Sequence, residues 1–167
     1  MDGEIAVNKG AIGAFIQVGN EKIFVATTHL VSDYPDHEYL GQRQLQLSQL
    51  SDWVTKSSGG IKTIIGGDFN ISPPSHSKKR YLNTDKLWMV LKKSYFKNSS
   101  FAKFEQGDMT TFPGQSDLHD EGQVDHIFSL NGLWAIDSEI ETDNIYSDHF
   151  AYSVVFSKKK FAVNLSE

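Results

Sequence analysis

The order of three segments constrains the fold more than any single residue does. Lys22 to Thr28 ("KIFVATT") reads as a strand, Glu38 to Val54 places Leu40, Leu47, Leu50 and Val54 at helical spacing, and Ile61 to Ile65 reads as a strand again. Strand, helix, strand implies a crossover in which the helix covers a sheet, so the chain reads as α/β. Ala11 to Val18 ("AIGAFIQV") and the tight turn Gly19-Asn20 make the first two strands a hairpin, and "KSSGG" ends the helix. Asn83 or Thr84 can cap a second helix carrying Leu87, Trp88, Val90 and Leu91. Ser94 to Asp108 reads as irregular, "MTTFPG" as a short extended piece, and Gln123 to Leu130, Leu133 to Ile140 and Phe150 to Phe156 as three more strands.

The chain has 167 residues, enough for one domain with a real core and too few to expect two. It carries 39% hydrophobic and 22% charged residues, as ordinary globular proteins do. No apolar run is long enough for a bilayer, and "MDGEIAVNKG" lacks the layout of a signal peptide. Location is therefore left open, with cytoplasmic or membrane-peripheral surroundings favoured. A net charge of -5 argues against a domain that coats nucleic acid by electrostatics. It does not exclude an enzyme that brings a divalent cation to a phosphate. The absence of cysteine excludes a disulfide scaffold and thiolate chemistry.

The segment "TIIGGDFNISP" then raises a chemical question. Its β-branched run suits a strand covered on both faces, yet it stops in Gly-Gly-Asp-Phe-Asn, with Asp68 and Asn70 on one side of an extended backbone. Polar groups also end or interrupt apolar runs at His29, at Asp125 in "QVDHIF", and at Asp148-His149 in "YSDHF". Singly, each has a structural explanation as a cap, a turn or a satisfied strand-end group. Together they fit the rule that ligand and catalytic groups of α/β sheets gather at strand ends. The set suits phosphodiester hydrolysis. His149 held by Asp125 serves as base or as charge-stabilising imidazolium; Asp68 and Asn70 grip the attacking water and a phosphate oxygen; His29 assists the phosphate or the leaving group. Oxygen and amide donors without thiolates suit magnesium or another hard cation. His126 should point to the opposite face from Asp125. His37, His76 and His119 read as surface residues in loops, Lys158 to Lys160 as a solvated strand-end cap, and Tyr95, Phe96 and Phe101 as core aromatics rather than docking residues.

The ordered motifs "ATTHL", "IIGGDFNISP", "MTTFPG", "VDHIFS" and "YSDHFAYSVVF" resemble the endonuclease/exonuclease/phosphatase superfamily of magnesium-dependent phosphoesterases. The opening "NKGAIGAFIQVGNEKIFVATTHLVSD", with its pair Lys9-Gly10, and the helix "GQRQLQLSQLSDWV" look most like the neutral sphingomyelinase branch. The resemblance implies a four-layer α/β sandwich, two packed, mainly antiparallel sheets flanked by helices, with an active site where strand ends meet. It also implies His149, Asp68, Asn70, Asp125 and His29 as catalytic residues, with His29, Asn70 and His149 on the phosphate and Asp148 beside the metal, magnesium.

The resemblance runs from about Lys9 to Phe156. Family members carry, ahead of the hairpin, strands bearing an asparagine and the glutamate that binds the metal, and Glu4 does not replace that glutamate. Residues 1–167 are therefore expected to form one domain of this type, incomplete at its N-terminal side. The leading expectation is a magnesium-dependent phosphodiesterase of sphingomyelinase type acting on a phospholipid headgroup. The alternatives are a nuclease or other phosphoesterase of the superfamily, with nucleic acid as substrate, or a non-catalytic remnant or interaction module. A missing N-terminal half or a partner chain is the implied companion.

Overall fold

A computed structural model describes residues 9–33, 38–73, 85–101, 110–113, 122–143 and 147–159. Strand β1 (Ala11–Val18) turns back through Gly19 and Asn20 into β2 (Glu21–His29), and the two pair antiparallel from Ala11 opposite Thr28 to Val18 opposite Glu21. Helix α1 (Leu40–Ser58) carries the chain to β3 (Thr63–Asp68), which pairs parallel with β2, so the crossover expected from the segment order is present. Helix α2 (Asp85–Val90) runs on into one π-helical turn, Leu91–Tyr95. The two-residue β4 (Ser100–Phe101) and then β5 (Asp125–Leu130) complete a five-stranded sheet in the order β1-β2-β3-β5-β4. A second sheet of β6 (Trp134–Glu141) and β7 (Ala151–Ser157) touches β5. The α/β class and the two sheets of the expected sandwich are thus both present, mainly antiparallel with one parallel pair. No helix among the described residues is long and apolar enough to cross a membrane.

The core lies on one face of the large sheet. Phe24, Ala26, Ile65 and Phe128 from the strands meet Leu47, Leu50 and Val54 of α1, and Leu87, Leu91 and Phe96 from the second helical segment. Each of these side chains other than Ala26, removed from water, contributes roughly 1.5–3 kcal/mol. Tyr95 and Phe101 pack against this cluster and Phe96 is buried within it, as expected of core aromatics. The helix ends at Gly59, whose left-handed φ of 59° provides the usual stop.

Arg43 shares the buried stripe of α1 and is fully buried. Its guanidinium donates to the Val31 carbonyl (2.8 Å) and to the Asp33 carboxylate (2.5 Å), while Asp33 also accepts from the Tyr39 N–H (2.7 Å). The turn that follows His29 is thereby fixed to the start of α1. Lys158, the first of the strand-end lysines, joins Lys62 on Glu21, at 3.1 and 2.7 Å. The expected caps Asn83 and Thr84 and the histidines His37, His76 and His119 lie outside the described residues.

Candidate active site

Strand register builds the site. His29, the last residue of β2, stands opposite Asp68, the last of β3, and Asp68 stands opposite Asp125, the first of β5. Neighbouring residues on one rung of a sheet point to the same face, so three strands deliver two carboxylates and an imidazole to one edge. His149 comes from the bend before β7. Its Nδ1 donates to Asp125 Oδ2 at 2.7 Å, and its Nε2 lies 3.9 Å from Asp68 Oδ2. The same Asp68 oxygen lies 3.3 Å from Nε2 of His29, a nitrogen that also accepts from the Lys9 ammonium at 2.9 Å.

The loop after β3 is held down on both sides. Phe69 is buried and its N–H donates to the Val124 carbonyl (2.9 Å), while the Leu30 N–H donates to the Asp68 carbonyl (2.9 Å). Asn70 takes a left-handed φ of 50°, which a short polar side chain tolerates. Its N–H donates to Asp68 Oδ1 (2.8 Å), and its side-chain Nδ2 donates to the Leu30 carbonyl (3.0 Å). Asn70 is thus brought beside Asp68, with its amide nitrogen bracing the turn after β2. Asp148 is exposed and accepts from the Ser147 hydroxyl at 3.1 Å. It stands next to the cluster of Asp68, Asp125 and His149 rather than within it.

Electrostatics follow from this crowding. Burial, and then the charge of Asp125, push the Asp68 carboxyl up to about 7, against the pull of the Asn70 N–H, His149 and Lys9. The hydrogen bond to Asp125 raises the His149 imidazole above its ordinary value, against burial, with the charges of Asp125, Asp68 and Asp148 adding to it. The site therefore holds an imidazole biased toward its cation beside a carboxyl biased toward its neutral form. His126, one residue after Asp125, is buried on the helix side, where its Nε2 donates to the Ile71 carbonyl (2.6 Å) and Trp88 lies 4.7 Å away between ring centres. Burial pushes it down to about 4.

The donor set suits a metal ion. One atom each from Asp68, Asp125 and His149 lies within 4.8 Å of the others. Two carboxylates this close force one of them toward protonation unless a cation shares them, and hard oxygen donors suit a divalent ion of the magnesium type. The residues present fit such a group.

Sequence reasoning missed two contributors. Lys9 was visible only as half of a Lys-Gly pair. Thr111, inside "MTTFPG", accepts from the N–H groups of both Val124 and Asp125, at 3.1 Å each. The motif itself was the signal for it.

Acidic and imidazole groups thus gather at the strand ends of a mixed α/β sheet. The sequence matches the Endonuclease/Exonuclease/phosphatase family over residues 5–149, and the chain belongs to that family, whose members are hydrolytic enzymes. No curated protein gives a significant match. Among solved structures, the chain is similar to beta toxin from Staphylococcus aureus, with 20% identity over 89% of this chain and 57% of that one and a TM-score of 0.62. It is similar to an endonuclease/exonuclease/phosphatase from Bacteroides vulgatus, with 16% identity, coverage of 89% and 55%, and a TM-score of 0.68. It is also similar to the inositol polyphosphate 5-phosphatase domain of SPsynaptojanin, solved with inositol (1,4)-bisphosphate and calcium, with 16% identity, coverage of 89% and 50%, and a TM-score of 0.63. These likenesses show the fold. The chain spans between half and three-fifths of each of these three structures.

Proposed function

We propose that this chain carries the catalytic tips of a magnesium-dependent phosphodiesterase of sphingomyelinase type, cleaving a phospholipid headgroup with an activated water. The observation that carries the reading is the Asp125–His149 hydrogen bond of 2.7 Å, with the far imidazole nitrogen aimed at Asp68 3.9 Å away. The likeness of the first third of the sequence to sphingomyelinases supports the lipid over other phosphodiesters.

A water seated between Asp68 and His149 Nε2 hydrogen-bonds to both. As its oxygen bonds to phosphorus, its proton passes to the Asp68 carboxylate, and the bond from phosphorus to the ester oxygen breaks on the opposite side, the departing oxygen taking its proton from solvent. Asp125 holds the imidazole in one orientation and stabilises its cation, so His149 faces the developing negative charge. Lys9 adds positive charge and a donor at the neighbouring rung, held there by His29, and is suited to the phosphate or the leaving oxygen. Asp68 and Asp125, with Asp148 close by, would hold a hard divalent cation, which neutralises phosphate charge when bound.

The test is release of phosphocholine from sphingomyelin vesicles, set against cleavage of a DNA oligonucleotide, both with and without magnesium. Magnesium-dependent release that falls about 10²-fold or more in His149→Ala supports the reading. Cleavage of DNA alone would move the substrate to nucleic acid, and no hydrolysis of either under any divalent ion would leave an interaction module as the reading.

A further inference from the structure

The pair at the centre of the site comes from segments 24 residues apart, yet one short stretch touches both. Thr111 is fully buried. Its hydroxyl oxygen accepts from the N–H groups of Val124 and Asp125, each at 3.1 Å. Its own carbonyl accepts from the N–H of Phe150, the residue after His149, at 2.8 Å, and its N–H donates to the Gly122 carbonyl at 3.2 Å. The next residue, Phe112, sets its ring 4.9 Å from the His149 imidazole and exchanges backbone hydrogen bonds of 3.0 and 2.9 Å with Gly122. Two consecutive residues therefore hold the backbone of Asp125, the backbone beyond His149 and one face of the imidazole.

We propose that Thr111 is the positioning residue that fixes Asp125 against His149, through its hydroxyl on one side and its carbonyl on the other. This rests on the site reading above and deepens it. The requirement is specific to a hydroxyl. Its oxygen has two acceptor positions, and both are taken by backbone donors at the end of the β3–β5 ladder, whose last rung is Asp68 with Asp125. Valine fills the same space and accepts nothing, so both N–H groups would lose their partner and the carboxylate its anchor. Serine keeps the oxygen. Thr111 touches no reacting atom, and its influence passes through the aspartate.

The experiment uses the full 167-residue chain labelled with nitrogen-15. In the wild type the Nδ1–H of His149 should give a protected imidazole signal. Thr111→Val should lose that signal, or speed its exchange by about 10- to 100-fold, the usual scale for loosening a supporting hydrogen bond at a site. Thr111→Ser should retain it. With magnesium and bis(4-nitrophenyl) phosphate, Thr111→Val should lower kcat by a similar factor with KM little changed, and Thr111→Ser should recover it. A folded Thr111→Val whose imidazole proton stays as protected as in the wild type overturns the proposal. Absence of hydrolysis in the wild type would instead count against the phosphodiesterase reading, while the imidazole signal still decides the role of Thr111. If Thr111→Val does not fold, amide exchange in the wild type decides. The amides of Val124, Asp125 and Phe150 should open together, and a Phe150 amide exchanging about tenfold faster or more overturns the tie.

Discussion

Asp68 and His126 stand opposite one another's neighbours on paired strands, and burial works on both with opposite consequences for pH. The folded Asp68 keeps its proton up to about pH 7, whereas its ordinary value is 3.8, so its contribution to stability is present at low pH and is lost as pH rises through that window. The folded His126 resists its proton down to about 4, against an ordinary 6.5, so its contribution is present above 6.5 and is lost as pH falls toward 4. Each effect is on the order of 3 kcal/mol at full extent, and between pH 7 and 5 they offset one another. Single variants should uncover them. Relative to the wild type, Asp68→Asn, left with His126 and with a His149 whose raised value favours low pH, should lose stability between pH 7 and pH 5; His126→Gln, left with Asp68, should gain it. Both variants following the wild-type pH profile would refute this account. Asp68→Asn should also stabilise the metal-free protein at pH 8 by ~2–4 kcal/mol while hydrolysis falls by roughly 10²- to 10⁴-fold, a trade between function and stability that denaturant titration and assay measure together.

At the scale of elements, the site depends on how closely β2 and β3 approach at their tips. Gly67 has a φ of 137°, and a Cβ placed there would lie 2.0 Å from the Thr28 carbonyl oxygen. Backbone has nowhere to retreat on the rung beside His29 and Asp68. Gly67→Ala should therefore cost about 3 kcal/mol or more and displace Asp68, whereas Gly66→Ala, 3.3 Å from a movable Ile127 side chain, should cost only about 1 kcal/mol. Urea titration of the two variants compares them, and equal losses would mean the tip is not tight. The glycine pair was legible in the sequence; its reason was not, because the clash is with a strand about forty residues earlier. The same limit governs the rest. Helix α1 declares itself by spacing and the Ala11–Val18 hairpin strand by its composition and its Gly-Asn turn, whereas β4, two residues long, has no pattern to read. The tips His29, Asp68, Asp125 and His149 were visible as polar interruptions, yet their common rung is a matter of register between distant strands. Arg43 sits four residues before Leu47 on the buried stripe, a spacing that marks the face but does not announce a buried guanidinium.

For the molecule as a whole, the two faces of the large sheet differ. Helices cover the face that carries Phe24 and Phe128, and the catalytic tips lie on the other. Alternation along β1, fixed by Gly13 lying against Phe24 and Trp53 on the helix side, places Ile12, Ile16 and Val18 on the same face as His29. Ile12 is 75% exposed, and Ile16 and Val18 are 42% and 50% exposed. An apolar row along an edge strand is a surface that associates, and a net charge of -5 on 167 residues opposes this only weakly. The purified chain should therefore self-associate with rising concentration, and Ile12→Lys with Ile16→Lys should weaken association by about a hundredfold or more, since each isoleucine covered contributes roughly 1.5–3 kcal/mol. Leu45→Lys, an equally exposed leucine on α1, serves as the control and should change little. Sedimentation at several concentrations reads all three proteins, and a double variant that associates as strongly as the wild type would show that this face is not the one that meets a neighbour. Because the row and the catalytic tips share a face, whatever covers Ile12 and Ile16 also forms a wall near the site. The same double variant should then change KM for vesicles more than it changes hydrolysis of a small soluble diester.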